Sequence, residues 1–75
     1  MIHFFHRGRE TRSCEMRLAP DGPGLDLVIT EGRRSHVEHF DDVRTMENRQ
    51  IELRYAWLAH GWRTSDPADA VDEQE

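Results

Sequence analysis

Apolar and polar residues alternate over the first 40 residues of the chain, and glycine or proline interrupts the alternation three times. Segments 11–19 and 25–31 have an apolar residue at every second position, which is typical of strands with one buried face. Segments 2–7 and 35–40 are shorter and predict two further strands. Since connections this short join antiparallel neighbours, the pattern predicts a four-stranded antiparallel meander.

The pattern changes after Asp42, where apolar residues begin to recur at helical spacing. Asp41 and Asp42 suit the N-cap and the positive end of the helix dipole. The apolar arc that begins at Val43 predicts an amphipathic helix of about 19 residues. Gly61 and Trp62 stand where a Schellman cap places its left-handed residue and its following apolar residue.

The sequence therefore predicts an α+β domain of order ββββα over residues 1–63 and a disordered acidic tail over residues 64–75. Only one of the two neighbouring phenylalanines can face the core, because successive strand residues point to opposite sides. The predicted core comprises Phe4 or Phe5, Cys14, Met16, Leu18, Leu25, Leu27, Ile29, Val37, Val43, Met46, Ile51, Leu53, Trp57 and Leu58.

A chain of 75 residues holds one small domain, and such domains are marginally stable alone. A helix about 28 Å long would extend past a sheet about 14 Å across. We therefore expect a homodimer through the helix, with an interface of Arg54, Tyr55, Trp57, Leu58 and Trp62. The alternative is a monomer in which Arg54 extends its charge to solvent and the tryptophans cover the edge of the core.

The net charge of −5 belongs to the C-terminal segment. Five of the 15 acidic residues follow residue 65, whereas residues 1–65 carry ten arginines against ten acids. All ten basic residues are arginine, and a GC-rich genome explains this better than phosphate binding, because the arginines are spread along the chain. The absence of a secretory signal and the single cysteine predict a cytoplasmic protein, and no apolar run is long enough for a membrane.

Five histidines and one cysteine suggest metal or nucleophile chemistry, but their spacing does not support it. His3 and His6, like His36 and His39, are three residues apart, so each pair points to opposite faces of a strand. Cys14 occupies a core position, and Asp41 and Asp42 are explained by capping. We therefore expect no metal, no cofactor and no enzymatic activity.

The predicted order of four strands and a helix is similar to that of the PUR-repeat and Whirly-type single-strand binders. This resemblance in the order of elements implies nucleic-acid binding on the sheet face, but no residue motif is shared. From their own chemistry, the candidate residues are Arg7, Arg12, Arg17, Arg33, Arg34 and a stacking Phe4 or Phe5. The acidic tail could then shield the arginines when no nucleic acid is bound. The leading hypothesis is a small non-enzymatic binding or regulatory domain that acts through contact with another protein. Single-stranded nucleic-acid binding is the alternative.

Overall fold

The first 40 residues form four antiparallel strands that follow one another across a single sheet. A computed structural model describes residues 2–64 and places the strands at Ile2–Arg7 (β1), Glu10–Leu18 (β2), Leu25–Glu31 (β3) and Arg34–Phe40 (β4). The helix α1, Val43–Ala59, crosses one face, and a two-residue strand, Arg63–Thr64 (β5), follows it. The sheet order is β4-β3-β2-β1-β5. The predicted α+β fold of order ββββα is confirmed, with β5 as an addition.

Strand β5 moves the end of the folded chain by one residue relative to the sequence prediction. Thr64, assigned to the acidic tail, pairs with Phe5, and Arg63 pairs with His6. A strand of two residues has no alternating pattern, and it forms here because the helix cap returns the chain to the edge of β1. The predicted tail from residue 65 to residue 75 lies outside the described residues.

Both ends of α1 have the predicted caps. The Asp42 side chain accepts a hydrogen bond from the backbone N–H of Thr45 at 2.8 Å. At the other end Gly61 has a φ of +88°. The N–H groups of Gly61 and Trp62 donate to the carbonyls of Leu58 and Trp57 at 3.2 and 3.0 Å, which is the Schellman pattern. The cap turns Trp62 back towards the sheet.

The core is small and lies between α1 and the centre of the sheet. Phe5 is the buried phenylalanine, and its ring meets Trp57 edge to face with centroids 5.0 Å apart. Met16, Leu25, Phe40 and Leu53 pack around this centre and are partly buried. The buried residues at this centre are Phe5, Cys14, Leu27, Ile29, Met46, Trp57 and Trp62.

Five residues that the sequence analysis assigned to the core are exposed instead. Val37 pairs with Val28 on the sheet face away from α1, whereas Glu38 faces α1 beside Leu27. Leu18 lies on the sheet face towards α1 but is not covered by the helix, whereas Val43, Ile51 and Leu58 lie on α1 to one side of the buried Met46 and Trp57. The exposed residues are Leu18, Val37, Val43, Ile51 and Leu58, with exposed fractions of 81, 58, 50, 50 and 38%.

Candidate interaction surfaces

The path of α1 leaves part of the sheet's inner face uncovered. The helix packs against β3 and β4, where Arg49 donates to both carboxylate oxygens of Glu38 at 2.8 and 3.1 Å. Further along the helix, Trp57 reaches Phe5 on β1. The helix is therefore tied to β4 at its middle and to β1 near its C-terminus. The corner formed by β1 and the second half of β2 has no helix over it.

A groove of about 190 Å³ occupies this corner between α1 and the sheet. Phe5 and Cys14 give it an apolar floor, whereas polar side chains dominate the helical wall. The lining residues are His3, Phe5, Cys14, Glu47, Gln50, Ile51 and Arg54. Within residues 2–64, no group of three or more His, Cys, Asp or Glu side chains is arranged to hold a metal ion.

An exposed apolar stripe on α1 borders the groove. Ile51, Tyr55 and Leu58 are spaced as neighbours along one side of a helix and are 50, 70 and 38% exposed. Val43 extends the same side towards the N-terminus of the helix and is 50% exposed. Scattered apolar residues on a surface are ordinary, whereas an apolar stripe beside a groove is a candidate contact surface.

The structure divides the five predicted interface residues into two groups. Trp57 and Trp62 lie in the domain's own core, as the monomer alternative proposed for the tryptophans. Tyr55 and Leu58 are exposed beside the groove, and Arg54 lines it and is half-buried. Ile51 and Val43 belong to this surface but were assigned to the core, because a helical arc does not show where the sheet beneath it ends.

A second surface lies at the end of the molecule where β1 meets β2 and β3 meets β4. Residues 7–12, 31–34 and 60–63 come together there and carry six arginines against two glutamates. The N–H of Gly32 donates to the carbonyl of Thr11, which joins the two turns. We call this surface the Arg-rich end; its arginines are Arg7, Arg9, Arg12, Arg33, Arg34 and Arg63.

Two of these arginines are held by the fold. The guanidinium of Arg12 lies 4.3 Å from the ring centroid of Trp62 and 5.4 Å from that of Trp57, and it pairs with Glu31 at 3.3 Å. Arg7 lies over the same Trp62 ring, donates to the carbonyl of His60 at 3.0 Å and pairs with Glu10. These contacts close the core at this end of the sheet.

The residues predicted for nucleic-acid binding do not share the sheet face that points away from α1. Arg12 lies on the sheet face that points towards α1, two residues before the core residue Cys14. Arg33 and Arg34 lie at the turn between β3 and β4. Arg17 does lie on the outer face, where it pairs with Glu15 at 2.7 Å. The two phenylalanines lie on opposite faces of the sheet. Phe5 is in the core and 2% exposed, whereas Phe4 is on the outer face and 51% exposed.

The comparisons with known proteins add no family to this description. No family model, no curated protein and no solved structure matches the chain. Over residues 2–64, the helix is too short and too polar to cross a membrane.

Proposed function

We infer that this protein is a small non-enzymatic binding domain that acts through protein–protein contact, and that it forms a homodimer through α1. The observation that carries this proposal is the groove beside the exposed stripe of α1. The helix leaves part of the inner sheet face uncovered, and in this proposal α1 of another copy lies beside it. Its apolar side would cover the groove in both subunits at once.

The order of residues on α1 supports a two-fold interface. In an antiparallel pair of identical helices, residues equally far from the midpoint meet each other across the axis. With the midpoint between Gln50 and Ile51, Glu47 of one copy faces Arg54 of the other, and Val43 faces Leu58. An ion pair and an apolar pair therefore each form twice. These positions, with Gln50 and Ile51, fall within an arc of about 100° on the helix.

Burial and charge agree with this arrangement. The apolar residues of the arc, Val43, Ile51 and Leu58, are at least 38% exposed in the single chain. Glu47 and Arg54 both line the groove, so their opposite charges lie at its mouth. The contact would remove three apolar side chains of each copy from water and would bring opposite charges together across the two-fold axis.

Charge reversal gives a sharp test by sedimentation equilibrium. Glu47→Arg alone and Arg54→Glu alone each place like charges opposite one another, and each should weaken dimerisation by about tenfold or more. The double variant Glu47→Arg with Arg54→Glu restores opposite charges and should recover the affinity. Ala56→Arg, at an exposed position on the side of α1 opposite this arc, is the matched control and should leave the affinity unchanged.

Two results would contradict the proposal. The first is a wild-type chain that sediments at the mass of one copy at every concentration. The second is a double reversal that remains as weak as the single reversals, since it would show that Glu47 and Arg54 do not face each other. Circular dichroism of each variant separates loss of the dimer from loss of the fold.

A further inference from the structure

The outer strand β4 has an open edge. Among residues 2–64, the sheet ends at β4 on the side opposite β5, and no further strand pairs with it. Its seven residues pair with β3 in an unbroken register, and five of them are exposed. Proteins commonly block such an edge with lysine, proline or a bulge, and β4 has none of these. The charge of Glu38, which faces α1, is already held by Arg49 and so does not keep a second strand away.

The hydrogen bonds of the sheet show which backbone groups of β4 point to this edge. The N–H of Gly32 donates to the carbonyl of Thr11 on β2. The preceding residue, Glu31, therefore directs its backbone groups to the other side, towards Arg34 on β4. Every second residue of β4 follows Arg34 in facing β3, and the residues between them face outwards. The backbone groups at the open edge belong to Ser35, Val37 and His39.

We propose that β4 pairs antiparallel with β4 of a second copy, with the two-fold axis at Val37. In this register the two copies of Val37 exchange backbone hydrogen bonds, and so do Ser35 of one copy and His39 of the other. The two sheets become one, with both helices on the same face. The open edge lies across α1 from the groove, so this contact goes beyond the contact proposed through α1 and does not compete with it.

The side chains of β4 that face α1 are complementary to themselves about this axis. His36 of each copy lies opposite Glu38 of the other, so an imidazole meets a carboxylate twice. Arg34 lies opposite Phe40, where a guanidinium can cover an aromatic ring. Directly opposed charges stabilise strand pairing when they differ in sign and oppose it when they are alike. The register shifted by two residues in either direction leaves fewer residues paired and sets His36 against His36 or Glu38 against Glu38.

The pairing also accounts for the exposed apolar residue on the outer face of β4. Val37 is 58% exposed, and its neighbour across the strands is the half-buried Val28 of β3. In the joined sheet the two copies of Val37 lie side by side, with a copy of Val28 on each outer side. β-branched side chains pack well in such a row, and the contact removes the apolar surface of Val37 from water.

Disulfide formation between introduced cysteines tests the position of the axis. In the full chain with Val37→Cys, the new thiols lie directly opposite one another with Cα atoms about 5.5 Å apart, which a disulfide can span. In Ser35→Cys, the matched control on the same strand and face, they lie about 14 Å apart and cannot be joined. Cys14 is 3% exposed and takes no part. After oxidation by oxidised glutathione, a non-reducing gel should show a covalent dimer for Val37→Cys and single chains for Ser35→Cys.

Sedimentation equilibrium separates this contact from the one proposed through α1. With both contacts, the full chain should assemble beyond two copies as its concentration rises. Val37→Lys sets like charges opposite one another at the axis and should stop assembly at two copies, held through α1. Phe4→Lys, at an exposed position on the same outer face, is the matched control and should leave the mass unchanged. Glu47→Arg combined with Val37→Lys should sediment close to the mass of one copy.

The two proposals fail in different ways. The absence of a covalent dimer for Val37→Cys, or equal cross-linking of Val37→Cys and Ser35→Cys, would overturn the pairing of β4. A mass that does not change in Val37→Lys would also overturn it. If only the contact through α1 is wrong, Glu47→Arg will have no effect, and Val37→Lys by itself will reduce the assembly to single copies.

Discussion

At the scale of single residues, Arg12 shows how a side chain typical of a binding site can instead serve the fold. Its guanidinium lies against two tryptophan rings and pairs with Glu31, and the side chain is only 26% exposed. Cation–π contacts of this kind contribute about 0.5–2 kcal/mol, with the larger values where water is excluded. The sequence alone does not distinguish Arg12 from Arg33, although their surroundings differ completely.

Arg12→Ala should therefore lower the free energy of unfolding by about 1–2 kcal/mol, because it removes both the stacking and the aliphatic part of the side chain from the tryptophans. For a domain of this size the midpoint of thermal unfolding would fall by about 4–8 °C per kcal/mol. Arg33→Ala is the control, and its unfolding midpoint should match that of the wild type. Equal midpoints for the two variants would contradict a structural role for Arg12.

At the scale of elements, the ion pair between Glu38 and Arg49 fastens α1 to the edge strand β4. Both guanidinium contacts reach the Glu38 carboxylate, and Arg49 also pairs with Glu52 on the next turn of the helix. The hydrogen bond from Arg49 lowers the pKa of Glu38 below 4.5, against the opposing effect of burial, and His36 adds to the lowering. The same hydrogen bond raises the pKa of Arg49.

The lowered pKa of Glu38 sets the direction of a pH dependence. Because the folded pKa lies below the unfolded one, the stabilisation is fully present above about pH 4.5 and is lost as the pH falls through the folded pKa. Glu38→Gln should lower the free energy of unfolding, measured by urea denaturation, by about 1 kcal/mol at pH 7. At low pH, the variant and the wild type should have the same free energy of unfolding.

Glu52→Gln is the matched control for this measurement, since Glu52 contacts the same Arg49 but its side chain is 69% exposed. At pH 7, Glu52→Gln should lower the free energy of unfolding by less than Glu38→Gln does, because solvent screens the ion pair between Glu52 and Arg49. A difference between wild type and Glu38→Gln that stays constant from pH 7 to pH 3 would show that the ionised carboxylate is not what stabilises the contact.

At the scale of the whole molecule, the small core and the uncovered corner have the same cause, because a single helix covers only part of the sheet. With one helix of 17 residues, seven side chains among residues 2–64 are no more than 6% exposed, and other residues on the same sheet face remain exposed. Leu27 and Leu18 both face α1, yet they are 0 and 81% exposed. The alternation of the strands places them on one side, and only the position of the helix separates their roles.

Leu27→Ala should destabilise the domain by about 2–5 kcal/mol, because it opens a cavity beneath α1. This is comparable with the whole stability of a domain this size, at roughly 0.05–0.15 kcal/mol per residue. Leu18→Ala should change the free energy of unfolding by no more than about 0.5 kcal/mol. Urea denaturation of Leu27→Ala and Leu18→Ala measures both changes in the free energy of unfolding. Equal changes would show that Leu18 is buried in solution and contradict the exposed corner.

The sequence determined the features that depend on neighbours along the chain. Strand alternation, the breakers between strands, the Asp42 cap and the Gly61 cap are local, so the order ββββα and the limits of α1 were predicted closely. Cross-strand pairing then followed from short connections. Even the inward direction of Cys14 and Leu27 needed only a period of two.

The tertiary structure decided everything that depends on which parts of the sheet the helix covers. The choice between Phe4 and Phe5, the outward position of Val37, and the exposure of Ile51 and Leu58 all follow from the diagonal path of α1. So does the gathering of six arginines at one end, since turns far apart in sequence meet only when the sheet forms. Burial and charge proximity are properties of three-dimensional packing, and a one-dimensional pattern does not contain them.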